Sequence, residues 1–162
     1  MRLKKGFSGV WFALLTILLD RLTKQLATGK LQSAVEVIPG VLRLRSTVNT
    51  GMAFSLLNDR GGLLIVLSLV VVAGLSAWLI LRPSDQSAVG RAGLWMVVGG
   101  GLGNVYDRVA YGAVVDFIEP IFVRFAVFNL ADTAICIGAA LAVASVLMDE
   151  SKKERAHVCS KY

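Results

Sequence analysis

Residues 62–81 read GLLIVLSLVVVAGLSAWLIL, a run of 20 residues without a charged side chain. An α-helix of this length rises about 30 Å, which matches the hydrocarbon thickness of a bilayer. Arg82 and Pro83 follow directly and end the run. The stretch therefore predicts a membrane-spanning helix and indicates an integral membrane protein.

Three further apolar segments predict three more spans, at 6–26, 92–106 and 128–148. The first of them lacks the small-residue cleavage site of a signal peptide, so we interpret it as an uncleaved helix. The 162 residues are 56% hydrophobic and 17% charged, with a mean hydropathy of +0.68, which excludes an ordinary soluble domain. The predicted fold is one mainly α membrane domain, 1–150, with four transmembrane helices, followed by a polar cytoplasmic tail, 151–162.

The segments outside the predicted spans are not simple loops. An external β-rich segment is expected at about 31–57, where a Pro-Gly turn signal at 39–40 precedes leucines that alternate with arginines over 42–45. This pattern predicts a β-hairpin with one apolar face. The second external segment, 107–127, is half apolar, and Pro120 prevents one continuous helix.

The net charge of +6 bears on orientation and on partners. Lys and Arg number nine on the side of the termini and eight on the other side, but the terminal-side segments are much shorter. Their higher charge density, and five of the seven lysines, place both termini in the cytoplasm. The basic residues fall at segment ends without a basic-aromatic patch, so no nucleic-acid partner is expected.

The chain offers few ligands for a transition metal. Its single histidine, His157, lies in the tail, and its two cysteines, Cys136 and Cys159, lie in different segments. Neither a metal site nor a structural disulfide is expected from these positions.

Two aspartates, Asp116 and Asp132, lie in apolar surroundings only 16 positions apart, in the runs VVDFI and FNLADT. A carboxyl at the centre of a membrane helix costs roughly 2.5–3.5 kcal/mol on insertion scales, so a chain that keeps two of them has a use for them. The segment order predicts that both lie at the external ends of the third and fourth helices, where this cost is smaller.

Two close carboxyl groups can share one proton and supply both a base and an acid. One would activate a water molecule while the other donates a proton to the scissile carbonyl of an amide. Each aspartate could instead cap a helix or pair with Arg108 or Arg124. A proton-coupled carrier with the aspartates on a polar path is a further alternative, although the cytoplasmic halves of the spans contain no ionisable residue to continue such a path.

Three shorter motifs each have a structural and a functional interpretation. Residues 99–104 read GGGLGN, in which the spacing of small residues favours close helix packing over a phosphate-binding loop. Asn49 and Gly51 suit a plain turn, or an amide and an open backbone beside a substrate chain. Asp20 and Lys24 are spaced i, i+4 and predict an ion pair at the interfacial end of the first helix.

Together these motifs resemble those of the lipoprotein signal peptidases, also called signal peptidase II, over roughly 15–135. Five motifs correspond in the order of that family: DRLTK at 20–24, NTGMAF at 49–54, the glycine-asparagine-aspartate-arginine block at 100–108, VVDF at 114–117 and FNLAD at 128–132. By this resemblance Asp116 and Asp132 are the catalytic dyad. The other matched residues are expected around the site or in its structural support: Asn49, Gly51, Asn104, Arg108, Asn129, Asp20 and Lys24.

Members of this family are bacterial intramembrane aspartyl endopeptidases. They remove the signal peptide of a prolipoprotein just before its diacylglyceryl-modified cysteine. The resemblance implies this activity, four helices with an external β-cradle, and no cofactor. It also implies the cytoplasmic (inner) membrane, with the active site toward the extracytoplasmic face. Expected partners are lipidated prolipoproteins, membrane lipid and peptide antibiotics that mimic the substrate.

The chain departs from the family pattern at three positions, none of which removes a catalytic group. Arg21 stands where Gln is usual, Met52 where Ala is common, and Thr133 where Ser is usual. Another class of intramembrane aspartyl protease carries Gly-x-Gly-Asp, but here Asn104 follows the Gly-Leu-Gly of 101–103, so that class fits poorly.

Overall fold

A computed structural model describes residues 7–51, 61–83 and 86–159. Within these ranges the chain forms, in order, α1 (Val10–Lys30), β1 (Val35–Ile38), β2 (Leu42–Asn49), α2 (Gly61–Leu81), α3 (Ala88–Tyr111), β3 (Val114–Pro120) and α4 (Leu130–Cys159). Met52 and the rest of the motif after Gly51 lie outside the described residues, as do the first six residues and the last three of the predicted tail.

Each predicted span corresponds to a helix, but the helices extend further than the apolar runs. The predicted third span, 92–106, covers only the middle of α3, and α4 continues beyond residue 148 to Cys159. By length and hydropathy, α2 and residues 130–151 of α4 could cross a membrane. The run of α1 is interrupted by charged residues and α3 is rich in glycine, which lowers the hydropathy of both.

The helices carry large apolar side chains on their outer surface. Trp11 of α1 is 74% exposed, Val70 of α2 is 64% exposed and Val143 of α4 is 60% exposed. Polar and charged residues of α1 and α3, by contrast, are buried between the helices. This distribution is the reverse of that in a water-soluble bundle and suits helices that face lipid.

The glycine run of α3 packs closely against all three other helices, which confirms the packing interpretation of residues 99–104. Consecutive glycines of α3 face different neighbours: Gly99 faces α1, Gly100 faces α4 and Gly101 faces α2. The atoms that an added Cβ would approach are, in the same order, Ala13 O at 2.6 Å, Ala131 O at 2.5 Å and Val72 Cγ2 at 2.8 Å. Larger side chains would therefore push α3 away from the other helices.

The three strands form one antiparallel sheet in the order β1-β2-β3. The predicted hairpin is confirmed, with β1 and β2 joined through Gly40, whose φ of +70° suits glycine in a turn. The third strand is not among the predicted elements. Arg43 and Arg45 of β2 both pair with Glu119 of β3, which lowers the pKa of that carboxyl through hydrogen bonds and charge.

The position predicted for Asp116 is wrong. The helix before it ends at Tyr111, because Gly112 adopts a φ of +75° and its N–H donates to the carbonyl of Arg108 as a C-cap. The chain then enters β3, which carries Asp116 as its third residue. Asp132 does lie where it was expected, in the first turn of α4.

Candidate active site

The strand that carries Asp116 is joined by hydrogen bonds to Phe128, two residues before the start of α4. The N–H groups of Phe117 and Ile118 donate to the carbonyl of Phe128, at 3.0 and 2.9 Å, and the N–H of Phe128 donates to the carbonyl of Ile118 at 3.0 Å. Asn129 and Asp132 follow directly, so this bridge brings the start of α4 beside the middle of β3.

Asp116 lies in a buried position between two amide donors. Asn49 is paired with Val114 in the sheet register, so its side chain is the diagonal neighbour of Asp116 on the same face. The Nδ2 atoms of Asn49 and Asn129 donate to Oδ2 and Oδ1 of Asp116, both at 2.7 Å. Burial of the carboxyl raises the pKa of Asp116 to about 6; the charge of Asp132 adds to the rise, and the two amides oppose it.

Asp132 is held by a reciprocal helix cap. The N–H of Asp132 donates to Oδ1 of Asn129 at 3.0 Å, while Oδ2 of Asp132 accepts from the N–H of Asn129 at 3.2 Å. The capping interpretation of this aspartate is thus correct, but the cap does not use the whole carboxyl. Oδ1 of Asp132 also accepts a hydrogen bond from Nδ2 of Asn104 at 2.8 Å.

Asn104 and Asn129 connect the two carboxyls. Nδ2 of Asn129 donates to Asp116 and lies 3.3 Å from Oδ1 of Asn104, whose own Nδ2 donates to Asp132. Asn129 is completely buried, so its amide orientation is set by these partners. The aspartates come from a strand and from a helix, and one hydrogen-bonded pair of amides fixes both.

A second polar cluster lies behind this pair, between α1 and α3. Nζ of Lys24 lies 2.8 Å from Oδ2 of Asp20, 3.0 Å from Oδ1 of Asn104 and 2.7 Å from Oδ2 of Asp107. The predicted Asp20–Lys24 pair is confirmed, and it is buried between the helices, with the two residues 0% and 2% exposed. Oδ1 of Asp20 also accepts from the N–H of Ala131 at 3.0 Å and so caps α4 from a different helix.

A cavity of about 560 Å³ opens beside the aspartates. Its polar wall is formed by five of the predicted residues: Asn49, Asn104, Arg108, Asp116 and Asp132. The rest is largely apolar and comes from Val114, from the turn at 125–128 and from the start of α4 up to Ile137. The site therefore joins two carboxyls to an apolar groove.

Arg108 lines the cavity but forms no ion pair with Asp116 or Asp132. Its Nη2 donates to the carbonyl of Gly51 at 3.1 Å, and its Nη1 to the carbonyl of Asn104 at 3.3 Å. Its Nε is buried and has no hydrogen-bond partner among the residues that the structure describes. The N–H of Nε is therefore available to a further group.

Asp107 and Arg21 belong to the polar cluster, although neither was a predicted site residue. Asp107 is 1% exposed and forms ion pairs with both Lys24 and Arg21. The sequence held a signal for Asp107, since it lies three positions after Asn104 and hence on the same helix face. For Arg21 the only signal was its departure from the family pattern.

The family profile described as signal peptidase (SPase) II matches residues 12–148. The chain belongs to the signal peptidase II family. It is 36% identical over 158 residues to a lipoprotein signal peptidase of Pseudoalteromonas translucida (strain TAC 125), covering 93% of this chain and 95% of that protein. A lipoprotein signal peptidase of Coxiella burnetii (strain RSA 331 / Henzerling II) is 38% identical over 157 residues, covering 93% of this chain and 96% of the other.

Solved structures of bacterial membrane enzymes are similar to this fold. A bacterial membrane enzyme solved by the in meso method at 2.3 Å resolution aligns with a TM-score of 0.80 and 29% identity, covering 90% of this chain and 91% of that chain. A second, at 1.9 Å resolution, aligns with a TM-score of 0.76 and 28% identity, covering 88% and 94%. The chain is therefore a peptidase with the fold of a membrane enzyme.

Proposed function

We propose that the chain is an intramembrane aspartyl endopeptidase and that Asp116 and Asp132 form its catalytic dyad. The observation that carries this proposal is the pair of amides, Asn104 and Asn129, that holds both carboxyls at one end of an apolar cavity. Helix capping alone would require neither a shared amide partner nor a second buried carboxyl. This arrangement suits two carboxyls that act together on one substrate.

In the proposed mechanism the two carboxyls share one proton. The ionised member removes a proton from a water molecule, which attacks the scissile carbonyl. The protonated member donates its proton to the carbonyl oxygen. The carboxyl that took the proton of the water then passes it to the leaving nitrogen, the C–N bond breaks, and a hydroxyl of the tetrahedral intermediate returns a proton to the other carboxylate. A pKa of about 6 for Asp116 brings this carboxyl closer to neutral pH than an ordinary aspartate, which favours such sharing.

The proposed substrate is a prolipoprotein whose cysteine carries a diacylglyceryl group, cleaved just before that cysteine. Relatives at 33–38% identity are named lipoprotein signal peptidases. The apolar residues that line the cavity suit acyl chains, and the free Nε of Arg108 can donate to a carbonyl of the bound peptide. Peptide antibiotics that mimic the substrate would occupy the same cavity.

We also propose that all four helices cross the bacterial inner membrane with both termini in the cytoplasm. Four charged residues that lower the hydropathy of α1 and α3 pair with one another between the helices, so they need not face lipid: Asp20, Arg21, Lys24 and Asp107. This topology places the sheet and the dyad at the extracytoplasmic face, where an exported lipoprotein emerges.

The first prediction concerns cleavage of a synthetic diacylglyceryl-modified prolipoprotein peptide by the purified protein. Asp116→Asn and Asp132→Asn should each lower turnover by roughly 10²- to 10⁴-fold, the range expected for losing an acid or a base. Mass spectrometry should find the lipidated cysteine as the new N-terminus. The measurement is the initial rate in detergent at fixed enzyme concentration.

The matched control is Asp149→Asn, the same substitution near the other end of α4, which should cleave at the wild-type rate. Full activity in either dyad variant would rule out the dyad. Equal cleavage of lipidated and unlipidated peptide would reject the proposed substrate but leave the aspartyl mechanism in place.

A further inference from the structure

Arg21 is a cation in the middle of α1, directly after Asp20 ends the uncharged run of that helix. Its Nη1 pairs with Oδ1 of the buried Asp107, and its guanidinium carbon lies 4.7 Å from the ring centroid of Tyr106 and 5.6 Å from that of Tyr111. The two rings themselves pack edge to face at 6.1 Å and are more than half exposed on the outside of α3. They therefore cover the guanidinium while leaving its charge directed at Asp107.

From Arg21 a continuous series of charged and amide contacts leads to the dyad. Asp107 contacts Arg21 through Oδ1 and Lys24 through Oδ2, the latter at 2.7 Å. Lys24 contacts Oδ1 of Asn104 at 3.0 Å, and Nδ2 of Asn104 donates to Asp132 at 2.8 Å. A change in the charge at Arg21 therefore reaches Asp132 through groups that are nearly all shielded from water.

The charges of this cluster can be counted over the described residues. The groups that surround the dyad come from α1 and α3, and they are Asp20, Arg21, Lys24, Asp107 and Arg108. Three are cations and two are carboxylates, which leaves one positive charge. The sheet residues outside the dyad that carry charge are Glu36, Arg43, Arg45 and Glu119, and their charges sum to zero. Arg43 and Arg45 both pair with Glu119, and Arg124 is exposed.

One positive charge balances a dyad that holds one proton and therefore carries one negative charge. We propose that Arg21 is a positioning residue that completes this balance and so holds the dyad in its singly protonated form. The proposal rests on the aspartyl mechanism proposed above. With Gln at this position, the usual residue in the family, the surrounding charge would be zero and the negative dyad would be uncompensated.

The sign of the effect follows from this balance. Removing a positive charge near the dyad disfavours each loss of a proton, so both limbs of the pH–activity curve move to higher pH. Between partly buried charges, one unit of charge at this range corresponds to a shift of about 0.5–1 pH unit. Because Arg21 does not line the cavity, the KM for the peptide should not change.

The experiment compares pH profiles of kcat for the purified wild type, Arg21→Gln, Arg21→Lys and Lys30→Gln. Lys30→Gln removes the same charge from the exposed last turn of the same helix and should leave the profile in place. Arg21→Gln should move both limbs upward by about 0.5–1 pH unit. Arg21→Lys keeps the charge and should return the profile to the wild-type position.

The double variant Arg21→Gln/Asp107→Asn separates charge balance from folding, because it removes one charge of each sign. Its profile should lie at the wild-type pH even if its rate is lower, and a double variant that keeps the shifted profile of Arg21→Gln would contradict the charge balance. If Arg21→Gln does not fold, Arg21→Met removes the same charge with an apolar side chain and should show the same upward shift. An unmoved profile in Arg21→Gln, or a lower kcat without a pH shift, would show a merely structural residue and overturn the proposal. A wild type that does not cleave would instead overturn the proposed function.

Discussion

Asp116 receives a hydrogen bond on each carboxyl oxygen, so each donor can be tested separately. Asn49→Ala removes the donor to Oδ2, which lies at 2.7 Å. Hydrogen bonds of this kind favour the carboxylate, so their loss raises the pKa of Asp116 further above about 6. The limb of the pH–activity curve on which Asp116 titrates should move up by about one pH unit, while the other limb stays in place.

The control for this prediction is Val48→Ala, one position earlier on β2, where the side chain is 72% exposed and points to the other face of the strand. If both limbs of the pH–activity curve of Asn49→Ala moved together, as expected for Arg21→Gln, Asn49 would not act on Asp116 alone. The two variants therefore distinguish a local hydrogen bond from a field that acts on both aspartates.

At the scale of single residues, the sequence predicted which residues form the site better than it predicted which residues contact each other. Asp116, Asp132 and the three asparagines could be chosen because motifs of the family contain them. The pairing of Arg21 with Asp107 could not, since the two are 86 positions apart and meet only because α1 packs against α3. Their charges in the sequence were compatible with solvated helix ends as much as with a buried pair.

At the scale of elements, the glycine run of α3 sets how closely α4 can bring Asp132 to Asn104. Gly100→Ala would place a Cβ 2.5 Å from Ala131 O and 2.8 Å from Cγ1 of Ile135, so α3 and α4 must separate. Overpacking of this kind costs about 1–3 kcal/mol. We expect a lower melting temperature in detergent and a loss of cleavage activity, measured on the same preparation.

Gly74→Ala on α2 is the matched control, because nothing lies within 4 Å of its added Cβ. Alanine there should leave activity unchanged and the melting temperature equal or slightly higher, given its better helix propensity. If the variant at Gly100 melts and cleaves like the one at Gly74, close packing of α3 against α4 is not what maintains the site.

The helices could be predicted from the sequence because long apolar runs are a local signal. The third strand could not, because VVDFIEP becomes a strand by pairing with β2, whose residues lie about 70 positions earlier. Gly112 was available as a helix stop, and it explains in hindsight why Asp116 lies on a strand. The hairpin was predictable since its turn and both strands are contiguous.

At the scale of the whole molecule, polar groups gather inside one end of the bundle while apolar side chains cover its outside. Asp20, Lys24 and Asp107 are each at most 2% exposed, whereas leucines on the opposite face of α1 are about half exposed. A polar path through the bilayer would need such groups along the whole length of the helices. Among the described residues, the buried charged groups of the helices lie at the end that carries the sheet, which agrees with a site near one membrane surface.

The proposed topology requires α1, α2 and α3 to cross in alternating directions, which labelling of single cysteines can test in a cysteine-free background. Phe7→Cys and Ala88→Cys lie on the proposed cytoplasmic side, and Val37→Cys and Phe122→Cys on the external side, all at exposed positions. A membrane-impermeant maleimide should label the external pair in intact spheroplasts and the cytoplasmic pair only after lysis. Labelling should alternate between the two sides along the four positions, because α1, α2 and α3 each separate one position from the next. If the residue 7 and residue 37 variants were labelled alike, α1 would not span, and its buried Asp20–Lys24 pair would then need another explanation than shielding from lipid.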